Sequence, residues 1–197
     1  MIEMLHAKIN QISNVPMSAV ELVRPLLSIK TLGKGDFYIK QGDITKKIGI
    51  ILKGVVKSYY ISSVGKEYIS SFSAEGEYVS AFYELLYKIP SLRYIQALEE
   101  TKLICIDYDR FCDLSIGNIY WAEFIRKVIE LRYAEKEIKE RDLMIKSAQE
   151  RYVDFLENRK DLVKRIPQNQ IALYLGITPF TLSRLKNRED RTVEINC

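Results

Sequence analysis

Hydrophobic residues recur with two different periods along this chain, and the change of period divides the chain into segments. Between about Ile29 and Asp107, short β-branched and aromatic runs are separated by glycine-containing turns at roughly ten-residue intervals. This spacing is typical of an antiparallel sandwich or barrel. The strands that it predicts most clearly are Ile48–Leu52, Val55–Ile61, Tyr68–Phe72 and Leu103–Ile106.

Helical periodicity takes over in three other segments. Apolar residues recur at three- and four-residue steps over roughly the first 25 residues, which predicts helices that form a lid or packing segment. Between Val79 and Pro90 the glycine turns stop, and residues 81–87 are predicted to form a short helix inserted into the sheet. From Tyr108 onward the chain contains no proline before Pro167, so this part should be mostly helical.

A long helix in this second half is predicted to carry an apolar stripe. Its members recur at three- and four-residue steps, and charged residues cover the remaining surface. They are Trp121, Phe124, Ile125, Val128, Leu131 and Ile138. Two interpretations stay open: the stripe packs against the β-rich region of its own chain, or it pairs with a second copy in a parallel coiled coil and forms a homodimer interface.

The most specific pattern lies in residues 166–186 and predicts two short helices that meet at Gly176. Pro167 suits the first turn of the first helix, and Gly176 can adopt the left-handed conformation that ends it. Thr178 then caps the second helix. Two leucines of that helix should point inward, Leu182 and Leu185. This arrangement is the helix-turn-helix pattern.

The exposed side chains of this motif are hydroxyls, amides and cations, which can read base edges or bind phosphate. The residues predicted to contact DNA are Gln168, Asn169, Thr178, Phe180, Thr181, Ser183, Arg184, Lys186 and Asn187. Residues 158–188 hold seven basic side chains and one acidic side chain, a net of six positive charges, although the whole chain has a net charge of only +4. This basic window predicts a polyanion partner, and a solvated surface is the alternative interpretation.

Composition argues against several other functions. No apolar run approaches the roughly 20 residues of a membrane helix, and the N-terminus lacks a secretory pattern, so a cytoplasmic location without membrane contact is expected. His6 is the only histidine, and the three cysteines lack metal-binding spacing, so neither a metal nor another cofactor is expected. A metal-dependent enzyme built on a double-stranded β-helix needs two or more histidines. The protein is therefore predicted not to be an enzyme.

Glycine turns and the order of parts together resemble the Crp/Fnr family of bacterial transcription regulators. The turns are Gly33-Lys34-Gly35-Asp36, Lys53-Gly54, Gly65-Lys66-Glu67 and Glu75-Gly76-Glu77-Tyr78. The resemblance implies an α+β fold in three parts. These are an N-terminal double-stranded β-helix, or cyclic-nucleotide-binding-like jelly roll, over residues 1–107, a long dimerisation helix over 108–145, and a truncated winged helix-turn-helix over 146–197.

The same resemblance implies a function and its partners. The protein is expected to be a homodimer that binds an inverted repeat in double-stranded DNA, with RNA polymerase as a further partner and an unidentified small-molecule effector. The oxygen-sensing branch of the family carries an iron–sulfur cluster on cysteines near its N-terminus, where this sequence has none. The alternative function is a stand-alone ligand-sensing or protein-interaction module without sequence-specific DNA binding.

An effector region is the part that departs most from the family pattern. Members that bind cyclic AMP carry Gly-Glu at the start of the inserted helix and Arg followed by Ser or Ala near its end. The matching residues here are Ser80-Ala81 and Ser91-Leu92, which implies weak or absent binding of ordinary cyclic nucleotides. Arg93 could instead pair with an anion. The candidate pocket residues, which line a cavity or simply fill the core, are Val79, Ser80, Ala81, Phe82, Ser91, Leu92, Arg93 and Tyr94.

The DNA-reading helix and the tail also differ from well-known members. Relatives commonly present Arg-Glu where this chain has Pro179-Phe180, so a different operator sequence is expected, with Phe180 free to contact a thymine methyl group. Only about ten residues follow Asn187, enough for a short strand over 191–195. A complete wing is not expected.

Overall fold

The computed structural model describes residues 2–186, and their first half forms a sandwich of two four-stranded antiparallel sheets. The strands are β1 (Leu27–Leu32), β2 (Phe37–Ile39), β3 (Lys47–Lys53), β4 (Val56–Ile61), β5 (Glu67–Ser73), β6 (Tyr78–Val79), β7 (Tyr94–Ala97) and β8 (Thr101–Asp107). One sheet has the order β1-β8-β3-β6, and the other has the order β2-β7-β4-β5. The four predicted strands correspond to β3, β4, β5 and β8.

Alternation of side chains along each strand builds the core between the sheets. Ile51 and Leu103 from one sheet meet Val56 and Ile95 from the other, and each is at most 1% exposed. The opposite face of the β4–β5 sheet is also covered, because it supplies Tyr59 and other residues to a second apolar cluster shared with the C-terminal helices. The sheet is therefore buried on both faces where those helices lie.

Short helices precede and interrupt the sandwich, and the first two pack on the outer face of the β1-β8-β3-β6 sheet against residues such as Ile104. They are α1 (Ile2–Asn10), α2 (Met17–Val23) with a 3-10 turn at Arg24–Leu26, and α3 (Phe82–Tyr87) between β6 and β7. The helical N-terminal segment is broken at Pro16, which has an extended conformation and precedes α2. The inserted helix predicted over residues 81–87 is α3 and begins one residue later.

The predicted long helix is divided into two. The chain forms α4 (Tyr108–Ser115), turns at Gly117, and begins α5 (Ile119–Ile145) only after Asn118. Gly117 has φ +77°, a left-handed conformation that favours glycine. The side chain of Asn118 then accepts hydrogen bonds from the backbone N–H groups of Tyr120 and Trp121 at 3.2 and 3.3 Å. The helix proper thus begins eleven residues after the predicted boundary at 108.

Trp121 was predicted to lie in the homodimer interface, but it is buried by its own chain. It is 2% exposed in the single chain and lies in a cluster with the N-terminal helices. Its indole N–H donates to the carbonyl of Ala19 at 3.1 Å, and its ring meets Phe111 and Phe124 edge to face. Because its own chain covers it, this residue belongs to the intramolecular core.

The C-terminal part consists of helices in the residues that the structure describes. They are α6 (Ala148–Asn158), α7 (Lys160–Val163), α8 (Gln168–Leu175) and α9, which is helical over residues 179–186. Ser147 starts α6 with a capping box completed by Glu150. Within residues 2–186, no helix combines the length and apolar character needed to cross a membrane.

Candidate nucleic-acid interface and effector region

The turn between α8 and α9 has the geometry that the sequence predicts. Gly176 adopts φ +70° and ends α8, and the N–H groups of Gly176 and Ile177 bond back to the carbonyls of the last helical turn. Thr178 caps α9 by accepting from the N–H of Thr181 at 3.1 Å. The inward-facing leucines of α9 are buried as predicted, Leu182 at 2% and Leu185 at 7% exposure. The motif is therefore a well-formed helix-turn-helix.

Most of the residues predicted to contact DNA are exposed on this motif, and three of them line one groove. Gln168, Asn169, Thr178, Phe180, Ser183, Arg184 and Lys186 are exposed, while Thr181 is half-buried beside Thr178. Asn187 and the tail strand predicted over residues 191–195 lie outside the described residues. A groove of about 260 Å³ joins the starts of α8 and α9 and is lined by Gln168, Pro179, Leu182, Ser183 and Lys186. This surface combines hydroxyls and cations with the N-terminal ends of two helices.

The basic window is only partly free for an external anion. Arg165 forms a two-pronged ion pair with Glu75 at 2.9 and 2.8 Å and reaches Glu99 at 2.5 Å. Arg159 contacts Glu77 at 3.3 Å. Both arginines thus contact the β-sandwich, and the exposed cations of the window within the described residues are Lys160, Lys164, Arg184 and Lys186.

The helix-turn-helix packs on its own β-sandwich through an apolar cluster. Phe72 of β5 lies 6.4 Å from the Phe155 ring and 5.3 Å from the Tyr174 ring, measured between centroids. Lys139 of α5 donates to the carbonyl of Ser70 and lies over the Tyr174 ring at 4.1 Å. Burial lowers the pKa of Lys139 to about 8. The apolar cluster therefore joins the sheet to the helix-turn-helix, and Lys139 links α5 to both.

In the effector region, the structure brings few of the predicted pocket residues together. Val79 and Ala81 lie in the core between the sheets. Leu92 is 59% exposed, and Phe82 lies at the surface against the Tyr108 ring. Ser80 is half-buried.

Tyr94 faces the other side of its sheet from the predicted pocket. Its ring stacks on Tyr59 at 5.0 Å, next to the cluster that holds the helix-turn-helix. The side chains of Arg93 and Ile95 point to the opposite face because neighbours along a strand alternate. Placing Leu92, Phe82 and Tyr94 in an enclosed pocket is therefore wrong.

Arg93 and a missed residue, Glu84, supply the charges of this region. Arg93 donates to the Tyr60 hydroxyl at 2.6 Å, and its Nε is buried without a hydrogen-bond partner among the described residues. Glu84 is 2% exposed, and its carboxylate accepts from the N–H of Leu92 at 3.2 Å. Ser91 is buried, and its hydroxyl bonds only the backbone of Arg93 among the described residues. The burial of Glu84 has no sequence signal, since a glutamate in an amphipathic helix is ordinarily exposed.

The stripe on α5 divides into a covered half and an exposed half. Phe124 and Ile125 pack beside the N-terminal helices, and the carbonyl of the half-buried Val128 accepts from the Tyr78 hydroxyl. Leu131 and Ile138 are 52% and 49% exposed. Packing on its own chain therefore holds for the first half of the stripe. The second half is uncovered in the single chain, and its pairing in a coiled coil stays a prediction.

Comparisons with known proteins agree with this architecture. The cyclic nucleotide-binding domain family matches residues 29–116. The fumarate and nitrate reduction regulatory protein of Yersinia pestis is 31% identical over 176 residues, which cover 81% of this chain and 67% of that protein. Regulatory protein HlyX of Actinobacillus pleuropneumoniae is also 31% identical, with 81% and 70% covered. The chain thus spans about two thirds of the length of these relatives.

Solved structures show the same fold over most of the chain. FixK2 from Bradyrhizobium japonicum superposes with a TM-score of 0.68 at 20% identity, covering 84% of this chain and 85% of that one. The c-di-GMP responsive global regulator CLP of Xanthomonas campestris gives a TM-score of 0.70 at 13% identity, covering 90% and 93%. Because relatives above 30% identity are covered over two thirds of their length, and because the fold agrees with these structures, the chain belongs to the Crp/Fnr family of transcription regulators.

Proposed function

We propose that this regulator binds double-stranded DNA as a homodimer, with α9 reading base edges in the major groove of each half-site of an inverted repeat. The observation that carries the proposal is the exposure of Ser183, Arg184 and Lys186 on α9, where Ser183 and Lys186 line a groove shared with Gln168 at the start of α8. Direct readout uses such side chains, because an arginine can bind a guanine with two hydrogen bonds and hydroxyls can contact bases or phosphates. Binding to DNA implies a cytoplasmic location. RNA polymerase is proposed as a partner only because the chain belongs to this family.

The second half of the α5 stripe supports the homodimer. Leu131, Ile138 and Ile145 are exposed and spaced seven residues apart, which is the repeat of a coiled coil. Ala134 lies between them and allows a close approach of two helices. The proposed interface therefore excludes Trp121 and centres on the C-terminal half of α5.

Replacing Arg184 by alanine is expected to weaken binding to a selected operator by about tenfold and to reduce the salt dependence of binding by about one counterion. The first effect reflects a lost base or phosphate contact, and the second reflects a lost cation. The measurement is a fluorescence-anisotropy titration at two salt concentrations, on an operator selected from random duplexes by the wild-type protein.

An exposed arginine on α4 provides the control for this experiment. Arg110→Ala removes the same charge far from the helix-turn-helix and should leave operator affinity within about twofold. Equal effects of the two substitutions would contradict the proposed interface. Failure of the wild-type protein to bind any duplex would favour the protein-interaction module instead.

We also propose that ordinary cyclic nucleotides do not act as the effector. The carboxylate of Glu84 occupies the Leu92 N–H, at the position where the family pattern places a phosphate contact, so a phosphate would meet a buried anion there. Isothermal titration with cyclic AMP and cyclic GMP should show no binding tighter than about 1 mM. Micromolar binding that Arg93→Ala abolishes would show that Arg93 compensates for the missing family residues.

A further inference from the structure

Besides the apolar cluster around Phe72 and the Arg159–Glu77 ion pair, two polar features hold the helix-turn-helix to the rest of the chain. The first is the short connection between α5 and α6, where Lys146 pairs with Asp142 at 3.0 Å and Arg151 donates to the carbonyl of Lys146 at 2.6 Å. A connection of this kind is a pivot, because rotation about it is opposed only by contacts made elsewhere. The second attachment is Arg165, which lies in the turn between α7 and α8 and reaches across to the β-sandwich.

Glu75, one of the two carboxylate partners of Arg165, is held in place by the β-sandwich itself. Glu75 accepts from the backbone N–H of Gly54 at 2.7 Å, in addition to its two bonds from Arg165. Gly54 has φ +106°, and a Cβ there would lie 2.4 Å from the Thr101 hydroxyl, so only glycine fits this turn. The hydrogen bonds from Arg165, together with the one from Gly54, lower the pKa of Glu75 to about 2. Glu75 is therefore ionised and oriented at neutral pH.

We propose that Arg165 is a positioning residue that fixes the orientation of the recognition helix relative to α5, and so sets the half-site spacing that the dimer accepts. This inference rests on the proposed function as a DNA-binding homodimer. Arg165 lies away from the α5–α6 pivot and adds a directional constraint to the apolar cluster, which opposes the same rotation without fixing its angle as sharply. Because the planar guanidinium engages Glu75 with two parallel bonds and Glu99 with a third, it constrains orientation as well as distance.

The residues proposed to contact DNA are exposed in the structure in which Arg165 is paired with Glu75. Arg184 and Lys186 carry no ion pair with any described residue, whereas Arg165 and Arg159 are turned toward the β-sandwich. While Arg165 is paired with Glu75, the residues proposed to contact DNA are therefore exposed, and Arg159 and Arg165 are held against the β-sandwich and away from DNA. Loss of the attachment should broaden the spacing that is accepted without removing any contact to the bases.

The test compares operators that differ only in half-site spacing. The wild-type protein first selects an operator from random duplexes, and insertion of about 5 bp between the half-sites, half a helical turn, should lower its affinity by about 100-fold because the second half-site is lost. For Arg165→Ala and Arg165→Lys, the same insertion should cost less than about tenfold. The lysine variant keeps the charge and loses the two-pronged geometry, so it separates orientation from electrostatics.

Two further variants make the interpretation unambiguous. Glu75→Gln removes the negative charge and one of the two oxygens that accept from Arg165, cannot delete a contact to DNA, and should relax the spacing preference in the same direction as Arg165→Ala. Lys164→Ala removes an exposed neighbouring cation and should leave the spacing profile unchanged. A wild-type spacing profile in both Glu75→Gln and Arg165→Lys would overturn the inference while leaving the proposed function intact. Absence of duplex binding by the wild-type protein would instead refute the proposed function, and the inference with it.

Discussion

Aspartate at both Leu131 and Ile138 is expected to convert the protein to a monomer and to lower its affinity for a selected operator by about 100-fold or more. Both side chains are half exposed on α5 and lie one heptad apart, where a coiled coil places residues of the seam. Two carboxylates in that seam would face their symmetry mates without compensating cations, so association would bury four unpaired charges. A monomer engages one half-site only and loses the avidity of the pair.

Analytical ultracentrifugation of the double variant gives the oligomeric state, and anisotropy titration gives the operator affinity. A matched control exists on the same helix, because Ile129 and Tyr133 are 50% and 64% exposed and are four residues apart on a different face. Aspartate at these two positions introduces the same charge and should preserve the dimer. A dimeric Leu131→Asp/Ile138→Asp protein, or a monomeric control, would show that the interface lies elsewhere.

Local patterns in the sequence predicted most of the fold. The β-branched and aromatic runs between turns predicted β3, β4, β5 and β8 with boundaries within one or two residues, because each run contributes side chains to the core between the sheets or to the cluster beside it. The helix-turn-helix was equally predictable, since Gly176 and Thr178 act through their own backbone neighbourhood. Interactions of this kind need no knowledge of the rest of the chain.

The sequence contains a local pattern that predicts the break before α5, but the helical spacing of the residues around it makes this pattern easy to miss. Gly117 followed by Asn118 is a left-handed turn followed by a helix cap, the combination that ends one helix and begins the next. Charged and apolar residues on both sides have helical spacing, so the period alone does not show the interruption. For this reason the long helix was predicted to begin at residue 108, whereas α5 begins at Ile119.

Contacts between distant segments account for what the sequence did not reveal. Arg165 and Glu75 are 90 residues apart, and nothing in the period of either segment relates them. The prediction of the effector pocket was wrong for a similar reason. Arg93, directly before β7, and Tyr94, its first residue, point to opposite faces of the sheet, and only the complete fold determines what covers each face. The burial of Glu84 and the covered half of the α5 stripe likewise follow from which elements meet.

Replacing Trp121 by alanine should lower the free energy of unfolding by about 3–5 kcal/mol. This residue belongs to the half of the α5 stripe that packs within its own chain, and not to the half proposed to pair with a second subunit. The ring fills the space between α5 and the N-terminal helices, where it contacts Phe111 and Phe124. Alanine would leave a cavity there, and it would also leave the Ala19 carbonyl without its indole donor. Trp121→Phe should cost less, because it keeps much of the packing and loses only the hydrogen bond and part of the ring.

The unfolding measurement is best made in the Leu131→Asp/Ile138→Asp background, because subunit association contributes to the apparent stability of a dimer. In a monomer, urea denaturation followed by circular dichroism reports the intramolecular core alone. The full loss of 3–5 kcal/mol should persist there if Trp121 is covered by its own chain, about the range for truncating a buried tryptophan. A loss below about 1 kcal/mol in the monomer, combined with weaker association in the otherwise wild-type protein, would place the ring at the subunit interface after all.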